Sequence, residues 1–204
     1  MEWLSFGPFL WRCRCAFLPA LKNRRCALVL GDGDGRFTAR LLGENRGVRV
    51  DAVDASPAML RALARRSARF GSDRLSTICG DAREWRPGEL RYDLLATHFF
   101  LDCLSTDEVA ALAVNLRGAA TPDAVWVVSE FAEPDTWFGR WVARPVVRLL
   151  YWAFGWMTGL RVRRLPEHRA ALRSAGFVLA KRRRWLGGLL VSEMWTASGG
   201  QERP

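Results

Sequence analysis

The stretch that most constrains this chain is Arg25–Leu42, RCALVLGDGDGRFTARLL. It opens with an apolar run from Cys26 to Leu30. It then turns through Gly31, Gly33 and Gly35, and continues with helical spacing at Phe37, Leu41 and Leu42. That pattern predicts a buried parallel strand, a glycine turn and the start of a helix. Glycines at alternate positions remove the Cβ atoms that would hold a ligand away from the backbone. The helix start behind them offers unpaired N–H groups. A small polar ligand is expected here.

A glycine loop of this kind also suits a nicotinamide dinucleotide. That fingerprint, however, asks for a third small residue three positions after the second glycine; counted from Gly33, this is Arg36. The loop also carries Asp32 and Asp34, two carboxylates that would repel a pyrophosphate. They would tolerate a ligand bearing an ammonium and a sulfonium, which points to S-adenosylmethionine (SAM).

The rest of the chain repeats the strand–helix alternation. Val48–Asp54 (VRVDAVD) reads as a strand ending on an acid. A carboxylate placed there can accept hydrogen bonds from both hydroxyls of a ribose. Ser56 then caps a helix with Pro57 in its first turn. Leu75–Cys79 reads as a third strand, followed by Asp81, which suits either an adenine amino group or the cap of a short helix. Tyr92–Thr97 is a fourth strand running into His98 and Phe99. A helix over Thr106–Leu116, capped by Thr106, leads to a very apolar fifth strand, Ala124–Phe131. A helix over Pro166–Ala175 precedes two strands, Phe177–Ala180 and Leu189–Thr196, with Lys181–Arg184 as a basic end and Gly187-Gly188 as the turn. The expectation is an α/β, doubly wound, Rossmann-like sheet in three layers. Ligands in such sheets bind at the carboxyl ends of the strands. Gly31–Gly35, Asp54, Asp81 and His98-Phe99 all fall there.

A chain of 204 residues suits one domain, here 1–204. An amino-terminal helical segment is expected over 1–24, broken at Pro8 and Pro19. An aromatic and arginine-rich helical insert is expected over 134–165. In that insert Arg140, Arg144 and Arg148 recur every four residues among Trp137, Trp141, Trp152 and Trp156. It reads as a lid over the pocket or as a helix at a membrane interface. The net charge of +10 is carried almost wholly by arginine, since Lys22 and Lys181 are the only lysines. Such a charge invites nucleic acid or an anionic membrane, the latter through 137–160, or reflects a general arginine bias. Five unevenly spaced cysteines argue against a disulfide framework and for the reducing cytoplasm. Cys13-x-Cys15 lacks a second Cys/His pair, so no metal is expected. No signal peptide or transmembrane run is expected.

Taken together, LVLGDGDG, VDAVDASPAML, CGDAREW, YDLLATHFFLDCL and LRSAGF with a terminal hairpin resemble the motifs of class I SAM-dependent methyltransferases, in their order and spacing. The insert and the GGLLVSEMW hairpin resemble the branch that acts in ubiquinone and menaquinone biosynthesis. The resemblance implies seven strands in the order 3-2-1-4-5-7-6, the seventh antiparallel. It implies Gly31, Asp32, Gly33 and Gly35 at the methionine part of SAM, Asp54 and Ala55 at the ribose, Met59 near the adenosine, and Asp81 with Ala82 at the adenine. His98 and Phe99 would line the floor near the methyl group. The family often has an acid two residues before the first glycine, where this chain has Val29; Asp32 or Asp34 would stand in for it.

The implied activity is methyl transfer to a small, hydrophobic or lipid-like acceptor. His98 is the candidate general base, if the acceptor must lose a proton; otherwise it packs or hydrogen-bonds. Asp102, Glu130, Glu133 and Glu193 are weaker candidates, and His168 begins a surface-like helix outside the site. Two other readings stand beside this one. A nucleic-acid methyltransferase is suggested by charge, although THFF replaces the Asn/Asp-Pro-Pro-aromatic run of amino-methylating enzymes. A non-catalytic SAM-fold protein would bind a partner or membrane through its Trp/Arg segment.

Overall fold

The computed structural model describes residues 7–70, 72–86, 92–132 and 167–198. The expected insert over 134–165, Glu133 and residues 1–6 lie outside the described residues. A helix α1 (Gly7–Arg14) and a short 3₁₀ turn (Leu18–Leu21) lead into β1 (Cys26–Leu30) and α2 (Arg36–Glu44). There follow β2 (Arg49–Asp54), α3 (Pro57–Ser67), β3 (Leu75–Cys79), β4 (Tyr92–His98), α4 (Thr106–Ala119) and β5 (Ala120–Phe131). The last elements are α5 (His168–Ser174), β6 (Phe177–Trp185) and β7 (Leu190–Ala197).

The seven strands form one sheet in the order β3-β2-β1-β4-β5-β7-β6. β1 to β5 pair in parallel, while β7 runs antiparallel to both β5 and β6. The order expected from the motifs is therefore the one observed. Side chains alternate between faces along each strand. Leu28, Leu30, Leu95, Trp126 and Val128 pack on one side with Leu112, Leu116 and Leu172 of α4 and α5. Ala27, Val29, Leu94, Val125 and Val127 pack on the other with Phe37, Leu41 and Leu63 of α2 and α3, and with Phe17 and Leu21. Burial on both faces explains why the central strands are continuous apolar runs.

Several boundaries differ from the sequence reading, each for a local reason. Helix α4 is capped by Ser105, not Thr106. The Ser105 hydroxyl accepts the Glu108 N–H, and the Glu108 carboxylate accepts the Ser105 N–H at 2.7 Å. This reciprocal box needs its acid three residues after the cap, a spacing only Ser105 meets. β5 begins at Ala120 rather than Ala124, because the strand carries a register shift opposite Tyr92 and Leu94; Pro122, which has no N–H to give, sits in that irregular stretch. α5 starts at His168 rather than Pro166. β6 runs on to Trp185, so Lys181–Arg184 lie within a strand. β6 is the sheet edge, where basic side chains reach water and discourage pairing with another chain.

The amino-terminal segment packs onto the sheet. The Cys13 carbonyl accepts hydrogen bonds from Ser129 of β5 at 3.2 Å and Ser192 of β7 at 2.8 Å. The Cys13 thiol is buried and donates to the Val191 carbonyl at 3.2 Å. Burial pushes that thiol up to about 11, which suits a packed thiol rather than a metal ligand. Among the described residues no helix is long and apolar enough to cross a membrane.

Candidate active site at the carboxyl edge of the sheet

Backbone hydrogen bonds carry the parallel ladder one step past the strand ends. Gly31 N–H donates to Val53 O at 3.0 Å, Gly80 N–H to Asp54 O at 3.1 Å, and Phe99 N–H to Ser129 O at 2.7 Å. The glycine loop, Asp54, Gly80-Asp81 and His98-Phe99 are thereby brought to one edge.

Within the glycine loop all three glycines have positive φ: 65° at Gly31, 58° at Gly33 and 79° at Gly35. They differ in what surrounds them. A Cβ on Gly31 would lie 2.3 Å from the Phe100 ring, and one on Gly35 would lie 2.5 Å from Leu63, whereas one on Gly33 would meet nothing within 4 Å. Gly35 thus lets α3 pack against the start of α2, and Gly31 seats Phe100. Gly33, like Gly80, faces open space. A backbone cradle of this shape fits a small ligand lying against the loop.

The acids differ as well. Asp54 is half-buried, and its Oδ1 accepts the Ser56 N–H at 2.8 Å. Its Oδ2 has no protein partner among the described residues. Asp32 is buried, and its carboxylate accepts the N–H groups of Thr38 at 2.8 Å and Phe37 at 3.4 Å. It completes the start of α2, whose cap residue Gly35 has no side chain to do so. Asp34 pairs with Arg66 at 2.6 Å and Arg36 at 3.1 Å. The two loop acids are therefore engaged by the chain itself, which weakens the charge argument built on them from sequence. Asp81 accepts Arg83 on both carboxylate oxygens, and Arg83 reaches on to Glu108 at 3.0 Å. Arg83 holds the Asp81 carboxyl below its ordinary range. Ala82 is buried beside it, and Met59 and Ala55 are exposed.

Burial lifts the Asp32 carboxyl to about 6, against the opposing pull of the Thr38 and Phe37 N–H groups and Arg14. An acid whose pKa is higher when folded holds its proton more tightly in the native state. Its contribution to stability is therefore full below about pH 4 and is lost as pH rises to about 6. Asp32→Asn is expected to remove about 3 kcal/mol of that pH dependence, read from urea melts of variant and parent between pH 4 and 7. The comparison must be made as a difference, because His98 contributes the opposite slope.

His98 is buried, with its ring tilted against Phe37 at a centroid distance of 4.2 Å and its Nδ1 2.9 Å from Ser129 Oγ. Burial, and then the Arg14 charge, depress it to about 3, so the ring is neutral. Phe99 has φ 55°, a left-handed conformation uncommon outside glycine. Its ring stacks with Phe131 at 5.2 Å and lies under the Arg14 guanidinium. Sequence reasoning connected neither Ser129 nor Cys13 with His98; the fold brings them together from 31 residues away and from α1. Local spacing carries no signal for contacts of that range.

Glu130 is also buried here. Its Oε1 accepts the N–H groups of Leu101 and Phe100 at 2.9 and 3.3 Å, which braces the turn after β4. Burial first, and then the neighbouring Asp102 charge, push its carboxyl well above the ordinary range. His168, expected at the surface, is buried and bonded to Glu193 at 3.2 Å. It belongs to a cluster on the α5 side of the sheet, because α5 docks its first turn against β7.

A groove of about 780 Å³ runs along α1, α2 and the end of α3, lined by Arg14, Arg36, Arg40, Arg66, Arg69 and Phe70 among others. None of the strand-end residues lines it. Arg36 and Arg66 are paired with Asp34, and Arg40 with Glu44 at 2.6 Å, so much of its charge is already balanced.

A methyltransferase-domain family model matches residues 27–123, which span β1 to the start of β5. The fold is shared with solved methyltransferases across nearly the whole chain. Mitomycin 7-O-methyltransferase MmcR superposes with a TM-score of 0.72 at 17% identity, over 95% of this chain and 55% of its own. The 1,6-didemethyltoxoflavin-N1-methyltransferase of Burkholderia thailandensis, solved with its substrate and S-adenosylhomocysteine, gives 0.69 at 22%, over 97% and 81%. The N-methyltransferase NodS of Bradyrhizobium japonicum, bound to S-adenosylhomocysteine, gives 0.66 at 14%, over 93% and 84%. The chain carries a methyltransferase-domain match over residues 27–123 and has the class I methyltransferase fold. It spans about half the length of the mitomycin enzyme. No curated protein matches this methyltransferase-fold chain in sequence. The structures it resembles act at oxygen and at nitrogen, so they do not single out the quinone-pathway branch.

Proposed function

We propose that this methyltransferase-fold chain binds SAM at the carboxyl edge of its sheet and transfers the methyl group to a small, neutral, largely apolar acceptor. The observation that carries the reading is the convergence, at one edge, of an open glycine cradle at Gly33 and a strand-end carboxylate at Asp54 whose second oxygen is unengaged among the described residues. In this reading the Gly31–Gly35 backbone lies along the methionine part, and Asp54 accepts the ribose hydroxyls. Met59 covers the adenosine, while Asp81 and Ala82 meet the adenine. His98 and Phe99 close the floor. The acceptor atom gains a methyl carbon from the sulfonium, whose C–S electron pair stays on sulfur. The protein supplies proximity and orientation. The apolar surroundings, with Phe99, Phe131, Leu10 and Leu190 in one cluster, favour an acceptor without charge.

Calorimetric titration with SAM, S-adenosylhomocysteine and NADH tests the proposal. Micromolar binding of the first two is expected, weakened roughly 10- to 100-fold in Asp54→Ala because a charge-assisted hydrogen bond is removed. NADH binding alone would overturn it.

A further inference from the structure

The hydroxyl of Ser129 stands between two groups, 2.9 Å from His98 Nδ1 and 3.2 Å from the carbonyl oxygen of Cys13. A hydroxyl has one proton to give, and a carbonyl oxygen can only accept. The Ser129 proton therefore points at Cys13. The contact with His98 must then be donated by the ring, which places a proton on Nδ1. Ser192 repeats the arrangement on the other side: its hydroxyl donates to the same carbonyl at 2.8 Å and accepts the Trp185 indole N–H at 3.0 Å. The Cys13 carbonyl thus accepts from both serines and, at 3.3 Å, from the Ala16 N–H, while the Ser192 hydroxyl also lies 3.1 Å from the Cys13 sulfur.

A neutral imidazole with its proton on Nδ1 has a bare lone pair on Nε2. That atom is buried and has no hydrogen-bond partner among the described residues. Buried polar atoms are almost always satisfied, and one that is not calls for an explanation such as a ligand or a reaction. The backbone around the ring is held tightly. His98 and Ser129 are direct register partners in β4 and β5, and the strained Phe99 beside them gives its N–H to the Ser129 carbonyl at 2.7 Å. Strain of this kind gathers at functional sites.

We propose that Ser129, oriented by the Cys13 carbonyl of α1, is a positioning residue that holds His98 with its proton on Nδ1, so that Nε2 accepts the hydrogen bond, and then the proton, of a hydroxyl or ring N–H on a neutral methyl acceptor. The proposal rests on the methyl-transfer reading above and adds the acceptor chemistry to it. As the acceptor atom bonds to the methyl carbon, its X–H proton becomes far more acidic than an imidazolium and passes to Nε2. The proton transfer is downhill even though the buried ring is a weak base. The proton leaves to solvent after product departs. An amine acceptor would need no such group, because its methylated product holds its proton. The α1 segment, in this arrangement, prepares the base as well as packing against the sheet.

His98 and His168 are the only histidines in the chain, so ¹⁵N-histidine labelling with long-range ¹H–¹⁵N correlation reads the tautomer directly in the free protein. His168→Gln assigns the two sets of signals. The expected result at pH 7 is a protonated Nδ1 and a bare Nε2 for His98. Ser129→Ala should turn this single tautomer into a mixture while SAM affinity is unchanged, and Ser129→Thr should restore it. Phenol, titrated in the presence of S-adenosylhomocysteine, should move the Nε2 signal and bind about fivefold more weakly to Ser129→Ala. A proton on Nε2 in the parent protein, the same tautomer in parent and Ser129→Ala, or an Nε2 signal indifferent to phenol would each overturn the proposal, even if SAM binds. Failure of SAM to bind would overturn the methyl-transfer reading, and with it the proton-accepting role.

Discussion

Gly35→Ala is expected to lower stability by about 3–5 kcal/mol, enough to leave little folded protein if the parent has an ordinary margin. Two costs combine. The residue sits at φ 79°, where an L side chain is strained. Its new Cβ would also lie 2.5 Å from Leu63 Cγ and 2.7 Å from Leu63 Cα. The second contact is with backbone, so no rotamer change relieves it; α3 would have to move off α2. Gly33→Ala is the matched control, with a similar φ of 58° but open space around the added atom. It should cost only about 1–2 kcal/mol. Thermal melts of the two variants separate close packing from backbone strain. Equal losses would show that packing against Leu63 is not what requires Gly35.

Glu193→Ala is the second large effect, expected at about 3–5 kcal/mol. Glu193 lies fully buried in β7 and accepts Arg169 at 2.7 Å, the Trp195 indole at 3.1 Å and His168 at 3.2 Å, with Arg182 at 3.4 Å. Burial alone would raise its carboxyl, but the His168 hydrogen bond and the charges around it outweigh this and lower it. The stabilisation is therefore present above the ordinary carboxyl range and is lost as pH falls through the lowered folded value. Truncation leaves two guanidinium groups facing each other across a buried gap, together with an indole N–H and an imidazole. Glu193→Gln keeps acceptor capacity without the charge and should fall between parent and Ala. Urea melts at pH 7 measure both. Because the cluster joins α5 to the β6–β7 hairpin, amide exchange should rise first in these elements.

Much of the fold could be read before any coordinates. The period-2 and continuous apolar runs at Cys26–Leu30, Val48–Asp54, Leu75–Cys79 and Tyr92–Thr97 are local signals, and each became a strand to within a residue at either end. Ser56-Pro57 marked a helix start that the structure keeps, with the Ser56 hydroxyl accepting the Met59 N–H. Boundaries slipped where two local signals competed. Ser105 and Thr106 are both good caps, and only the position of Glu108 decides between them. The basic run Lys181–Arg184 looked like a strand end because charge usually marks a loop; as an edge strand, β6 tolerates it.

The sequence by itself determined which of the described segments are strands and helices, where the glycine turn falls, and that Asp54, Asp81 and His98 lie at or just past strand ends. Hydrophobic period, turn chemistry and caps act over a few residues, so they are legible along the chain. Only the tertiary structure decided which of the acids the chain itself engages. Asp32 is engaged by the start of α2 and Asp34 by Arg66, whereas Asp54 keeps one oxygen without a partner among the described residues. It also decided that His168 is buried and that His98 is linked through Ser129 to Cys13. Those partners lie tens to more than a hundred residues apart. A side chain's protonation and reach are set by whatever the sheet places beside it, which no local pattern encodes.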